Sequence, residues 1–126
     1  MENTSKFSWK KRAKAFKYAW QGMKAMVIYE HNARIHLVAA LLAVIAGVVF
    51  SITAMEWCLI ILCIALVIAA EALNSAIEAL ADKLCKEQDP LIGRAKDLGA
   101  TAVTLLALAA VAIAAIIFIP RLLSLL

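Results

Sequence analysis

The sequence predicts an all-α integral membrane protein, with an N-terminal amphipathic surface helix followed by three transmembrane helices. Three observations carry this reading. Hydrophobic residues make up 65% of the 126 and charged residues 17%, against about 45–50% and 25% in ordinary soluble domains. Three uncharged apolar stretches are long enough to cross a bilayer. The lysines and arginines are also unevenly placed: residues 1–36 hold eight of the thirteen and residues 83–97 hold four. A chain of this length has room for one domain, 1–126.

The first element expected is a surface helix over residues 6–33. Phe16, Ala19, Trp20, Met23 and Met26 recur at three- and four-residue steps, and lysines fill the intervening positions. Phe7, Trp9, Tyr18 and Tyr29 add aromatics suited to the headgroup region. Such a helix lies on the membrane with its lysines toward anionic lipid. Charges interrupt its apolar residues, so a cleavable signal peptide is not expected.

The first transmembrane helix is expected over 36–55. Leu37 to Met55 supplies nineteen residues without a charge, about 28 Å of helix. Ser51 to Glu56 forms a very short turn, with Glu56 solvated and Trp57 as an interfacial anchor. The second helix, 57–82, is roughly 38 Å long, more than a hydrocarbon core of about 30 Å. Its final turns must emerge. Lys83 to Asp97 reads as a polar loop with a turn at Asp89-Pro90. The third helix, 97–119, is uncharged from Leu98 to Ile119, and Pro120 with Arg121 marks its exit. The positive charges place the N-terminus and the second loop of this multi-pass membrane protein in the cytoplasm.

The second helix carries the chemistry. At about 100° per residue, with Glu71 at zero, Asn74 falls near −60°, Ser75 near +40°, Glu78 near −20° and Asp82 near +20°. Five polar side chains thus share one arc, while Leu73, Ile77 and Leu80 point elsewhere. Carboxylates are costly in lipid, so this stripe should face protein, water or a metal. Glu30 and the Arg94/Lys96/Asp97 group meet it on the same membrane face. Acids that approach one another suit Mg²⁺, which takes a few carboxylates and leaves room for phosphate oxygens. Lysines beside it balance a polyphosphate. A carboxylate at interfacial depth can accept the proton of a lipid alcohol. Phosphoryl transfer at the membrane surface follows.

Other residues read more plainly. Cys58, Cys63 and Cys85 suggest neither a disulfide framework nor a zinc site. His31 and His36 are five apart, off a common helical face, and read as headgroup contact or packing. Gly22, Gly47, Gly93 and Gly99 form neither a P-loop nor a dinucleotide fingerprint, so side chains must hold any nucleotide. Gly99 and the alanines of the third helix allow close helix approach, which favours an oligomer.

Three segments resemble the small bacterial integral-membrane diacylglycerol kinase family, which includes the undecaprenol kinases. They are Tyr18-Ala19-Trp20-Gln21-Gly22, the run from Glu71 to Glu78 followed by Asp82, and Gly93-Arg94-Ala95-Lys96-Asp97. The resemblance covers about Lys11 to Pro120. It implies a homotrimer with active sites shared between protomers, ATP as co-substrate and Mg²⁺ as cofactor, with no nucleic-acid partner. It implies Glu71 as the proton acceptor, and Glu30 and Glu78 as metal ligands that also contact nucleotide. Lys96, Asp97, Tyr18 and the loop residues Glu87 and Asp89 correspond to nucleotide contacts, and Asn74 and Asp82 to supporting positions. Lys11, with Arg12 adjacent, stands where the family commonly carries an arginine that serves ATP. The loop lacks a histidine found in some members, and Ala100 replaces a serine of the Gram-negative diacylglycerol kinases. Asn32 to His36, Glu56-Trp57 and Phe118 to Pro120 look more like the undecaprenol-kinase branch. The implied activity is transfer of the ATP γ-phosphate to diacylglycerol or to undecaprenol.

The alternative is a non-enzymatic oligomer, a pore or transporter subunit whose stripe lines a water path. Against it, the first and third spans offer no charge at mid-membrane, so no polar path crosses.

Overall fold

The computed structural model describes residues 6–85 and 87–126. They form four helices: α1 (Trp9–Tyr29), α2 (His31–Val49), α3 (Ala54–Leu84) and α4 (Pro90–Leu123). The last three are each long and apolar enough to cross a membrane. α3 and α4 make the main pairing, α2 packs on α3, and α1 touches both α2 and α3.

α1 starts where the Ser8 hydroxyl accepts the Lys11 N–H, an N-cap that satisfies one otherwise orphaned donor. It ends earlier than the apolar periodicity suggests. Glu30 is extended (φ −114°, ψ 114°) and separates α1 from α2, so residues 31–33 open the second helix rather than closing the first. A single extended residue leaves the last α1 carbonyls without helical donors. Arg34 supplies them: its Nε donates to the Val27 carbonyl at 2.6 Å, and its Nη2 donates to that of Ile28. Met26 is the one α1 residue buried in the chain.

The far turn is tight. Phe50 closes α2, Ser51 sits in the left-handed region at φ 49°, and Ile52 N–H donates back to the Gly47 carbonyl at 3.2 Å. Thr53 and Glu56 then form a reciprocal capping box at the start of α3. Ile52, Ile60 and Ile117 pack together beneath this turn, with Phe50, Trp57 and Phe118 around them. Trp57 is not simply an interfacial anchor. A Cβ at Gly47 would lie 2.6 Å from its ring, so the glycine leaves the space the indole occupies.

Glu56 is also more than a solvated turn residue. Arg121 donates to both its carboxylate oxygens, at 2.8 and 2.6 Å, and to the Ile117 carbonyl at 2.8 Å. This two-bond geometry is the strong form of a carboxylate–guanidinium pair. It ties the first turn of α3 to the last turn of α4. Pro120 does not end α4, which continues to Leu123.

At the opposite end the loop is much shorter than the charge pattern suggests. α3 runs on to Leu84 and α4 begins at Pro90. Asp89 is the reason: its Oδ1 accepts the N–H groups of Leu91 and Ile92 at 2.8 and 3.2 Å. Pro90 follows at the first helical position, where its fixed φ suits a helix start. Arg94, Lys96 and Asp97 consequently stand on the first two turns of α4 rather than on a loop.

Candidate active site

The polar stripe of α3 grades from buried to exposed. Glu71 is 2% exposed and Asn74 7%. Ser75 and Glu78 are half-buried, and Asp82 is exposed near the end of the helix. The residues between them on other faces, Leu73 and Leu80, are exposed at 68% and 63%. The aligned arc therefore turns toward the other helices in its deep half and opens to the surrounding medium in its last turn.

Three cavities surround this stripe. The one that Glu71 lines, about 310 Å³, is bounded by Asn32 and His36 of α2, Glu71 and Asn74 of α3, and Thr104 and Ala107 of α4. A second, about 550 Å³, lies between α1 and α3, with Gly22, Met26 and Glu30 on one wall and Ala72, Ser75 and Ala79 on the other. The third, about 560 Å³, sits under the short loop and gathers Asp82, Glu87, Asp89, Gly93 and Lys96. Helix α3 contributes to all three.

In the third cavity Lys96 Nζ donates to Asp82 Oδ1 at 2.9 Å, linking the end of α3 to the start of α4. This pair exists because the loop is short: Asp89 and Pro90 start α4 early enough to set Lys96 beside Asp82. The Asp89 carboxylate itself already serves as the α4 cap through Oδ1.

The structure thus gathers Asp82, Glu87, Asp89 and Lys96 around one cavity. Glu30 lines the α1–α3 cavity, and its carboxylate and that of Glu78 both lie within electrostatic range of Glu71. Lys11 and Tyr18 are exposed on α1 and line none of the three cavities, and Asp97 is exposed on α4. No three His, Cys, Asp or Glu side chains among the described residues stand close enough to hold a metal by themselves.

Two features escaped sequence reasoning. His36 approaches Glu71, with Nε2 3.6 Å from Oε2. Its position at the polar start of an apolar span was the available signal, but only helix packing brings the two together. The second is the contact between Asn74 and Gly99. Both are buried, and Asn74 Oδ1 has no partner among the described residues, as is also true of Ser75 Oγ. Buried polar atoms left open beside a cavity are candidates for a ligand contact.

Comparison with known proteins places this geometry in context. Residues 17–118 match the sequence profile of a family described as prokaryotic diacylglycerol kinase. The chain is 42% identical to the diacylglycerol kinase of Escherichia coli (strain K12) over 98 residues, covering 78% of this chain and 80% of the other. It is 34% identical to the undecaprenol kinase of Bacillus subtilis (strain 168) over 109 residues, covering 86% and 89%. A diacylglycerol kinase of Synechocystis (strain PCC 6803) is 33% identical over 112 residues, covering 88% of this chain and 64% of its own. The profile match takes in Tyr18, Glu30, the whole α3 stripe, Lys96 and Asp97, and begins after Lys11.

Proposed function

The chain belongs to the prokaryotic diacylglycerol kinase family, and from that premise we propose that it transfers the γ-phosphate of ATP to a membrane lipid alcohol. The acceptor is diacylglycerol or undecaprenol, as in the names of its relatives. Membership of a kinase family sets aside the pore or transporter-subunit alternative.

The observation that carries the proposal is Glu71. It is an acid only 2% exposed, on a helix apolar enough to span a membrane, and it lines a cavity with polar groups from α2 and α4. A buried carboxylate in such a segment is a functional group by default. In the proposed reaction Glu71 takes the proton of the lipid hydroxyl as that oxygen bonds to the γ-phosphorus. The bond from phosphorus to the bridging oxygen breaks, and ADP leaves with the electron pair.

Glu30 and Glu78 would hold Mg²⁺. Two carboxylates suit this ion, which is usually bound by one or two acids together with substrate phosphates rather than by a closed protein cage. When bound, it supplies charge neutralisation at the phosphate oxygens. Lys96, Asp97, Glu87 and Asp89, with Lys11 and Tyr18 from α1, form the nucleotide side. Asn74 and Asp82 support them, Asp82 by holding Lys96. The α1 helix lies on the cytoplasmic surface of the inner membrane, and three protomers assemble so that neighbours complete each site. The outward apolar faces of α2 to α4 and the small residues of α4 support such packing.

The test is phosphate transfer from ATP, with Mg²⁺, to diacylglycerol and to undecaprenol presented separately in mixed micelles. Transfer to either lipid is expected, and the preferred one identifies the acceptor. No transfer to either, from folded protein, would overturn the proposal.

A further inference from the structure

Glu71 is the least exposed acid among the described residues, and a carboxylate so enclosed needs a donor. Besides His36, the polar side chains that share its cavity are Asn32, Asn74 and Thr104, and Asn32 has no hydrogen bond to Glu71 among the described residues. Thr104 lines it, but its hydroxyl donates to the Ala100 carbonyl at 2.9 Å. Asn74 turns its Oδ1 toward Gly99, where that atom has no partner. Among the described residues one basic side chain stands within ion-pair range: His36, with Nε2 3.6 Å from Glu71 Oε2.

His36 is well placed to act through Glu71. It sits in the second turn of α2, on the helix that packs against α3, so both partners are carried by rigid elements. Its side chain is 21% exposed and that of Glu71 3%. The ring also borders a separate, largely apolar cavity of about 320 Å³, lined by Ala39, Ala43, Ile60, Ile64 and Ala110. An imidazole can do both, with an apolar body against the groove and a nitrogen toward the acid. At 3.6 Å the pair stands just beyond hydrogen-bond length, a gap of the kind that catalytic pairs close when substrate arrives.

We propose that His36 is a positioning residue for Glu71: its Nε2–H donates to Oε2 and leaves Oε1 free for the lipid hydroxyl. This rests on Glu71 being the proton acceptor. A donor on one oxygen fixes the plane of the carboxylate, and a fixed plane keeps the second oxygen aimed at the hydroxyl. The alcohol's proton goes to Glu71, and His36 keeps its own.

The experiment compares His36→Leu and His36→Gln in the full chain, with lipid phosphorylation measured in mixed micelles. Glutamine carries an N–H at about the reach of Nε2, whereas leucine fills the space without a donor. His36→Leu is expected to lower kcat about 10- to 100-fold with the KM for ATP unchanged, and His36→Gln to recover most of it. In a Glu71→Gln background, His36→Leu should cost nothing further, because its partner is already disabled. Thermal melting in detergent checks that each variant folds. Wild-type kcat in His36→Leu would overturn the proposal, as would folded leucine and glutamine variants that are equally impaired. If His36→Leu does not fold, His36→Asn takes its place, since its amide is too short to reach; full activity there would overturn the proposal too. Wild-type activity in Glu71→Gln alone would instead remove the premise, so the two failures are told apart.

Discussion

Asn74 and Gly99 meet across α3 and α4 so closely that a Cβ on residue 99 would stand 2.5 Å from Asn74 Oδ1. Both residues are buried. Gly99 is what lets an amide occupy this helix interface. Gly99→Ala would gain up to about 1 kcal/mol of helix propensity but must displace the amide or spread the helices, which costs roughly 1–3 kcal/mol. We expect turnover to fall and the melting temperature to drop by an amount set by the net loss, up to about 2 kcal/mol. Full activity would show that Asn74 has no supporting role.

Glu71→Gln keeps the size of the side chain and removes its basicity. Turnover is expected to fall by about 10²- to 10⁴-fold, the usual contribution of a general base, while ATP binding persists. Single-turnover phosphorylation and nucleotide binding, measured on the same sample, separate the two. Wild-type-like turnover would reject Glu71 as the acceptor.

Glu78→Gln removes one of the two carboxylates assigned to Mg²⁺. The Mg²⁺ concentration for half-maximal activity should rise, with the melting temperature unchanged because Glu78 is only half-buried. A superimposable Mg²⁺ titration would argue against the metal role.

Lys96 and Asp82 are predicted to act together. Lys96→Met should raise the KM for ATP several-fold, since a charge-assisted contact to phosphate is lost. Asp82→Asn should do the same more weakly, by removing the negative charge that holds Lys96 at 2.9 Å. Both residues are well exposed, so neither change should alter stability measurably. An unchanged KM for ATP in Lys96→Met would remove Lys96 from the nucleotide site.

Glu56 and Arg121 lie at the other end of the helices from the proposed chemistry. Glu56→Gln or Arg121→Gln should lower the melting temperature in detergent and leave kcat intact. The double variant should lose little more than either single one, because the two side chains act on each other. Additive losses would show that each is held by something else.

What the sequence determined by itself is the helical class, the three helices long and apolar enough to cross a membrane, and the α3 stripe. Each follows from a local rule: apolar length sets a span, and a period of 3.6 residues sets which side chains share a face. The family could also be read locally, since its motifs are short and contiguous along α3 and the start of α4. Helix ends were less legible. The break at Glu30 and the early start of α4 depend on Arg34, Asp89 and Pro90 satisfying particular backbone groups, and periodicity does not register those bonds. Tertiary structure alone decided the pairings across helices: His36 with Glu71, Asn74 with Gly99, and Glu56 with Arg121. The partners of these pairs are 35, 25 and 65 residues apart in the chain, read directly from their numbers. No local pattern links residues so distant. The packing of α2 and α4 on α3 brings them together, and that packing encloses one acid of the stripe, Glu71, beside a cavity shared by the three helices.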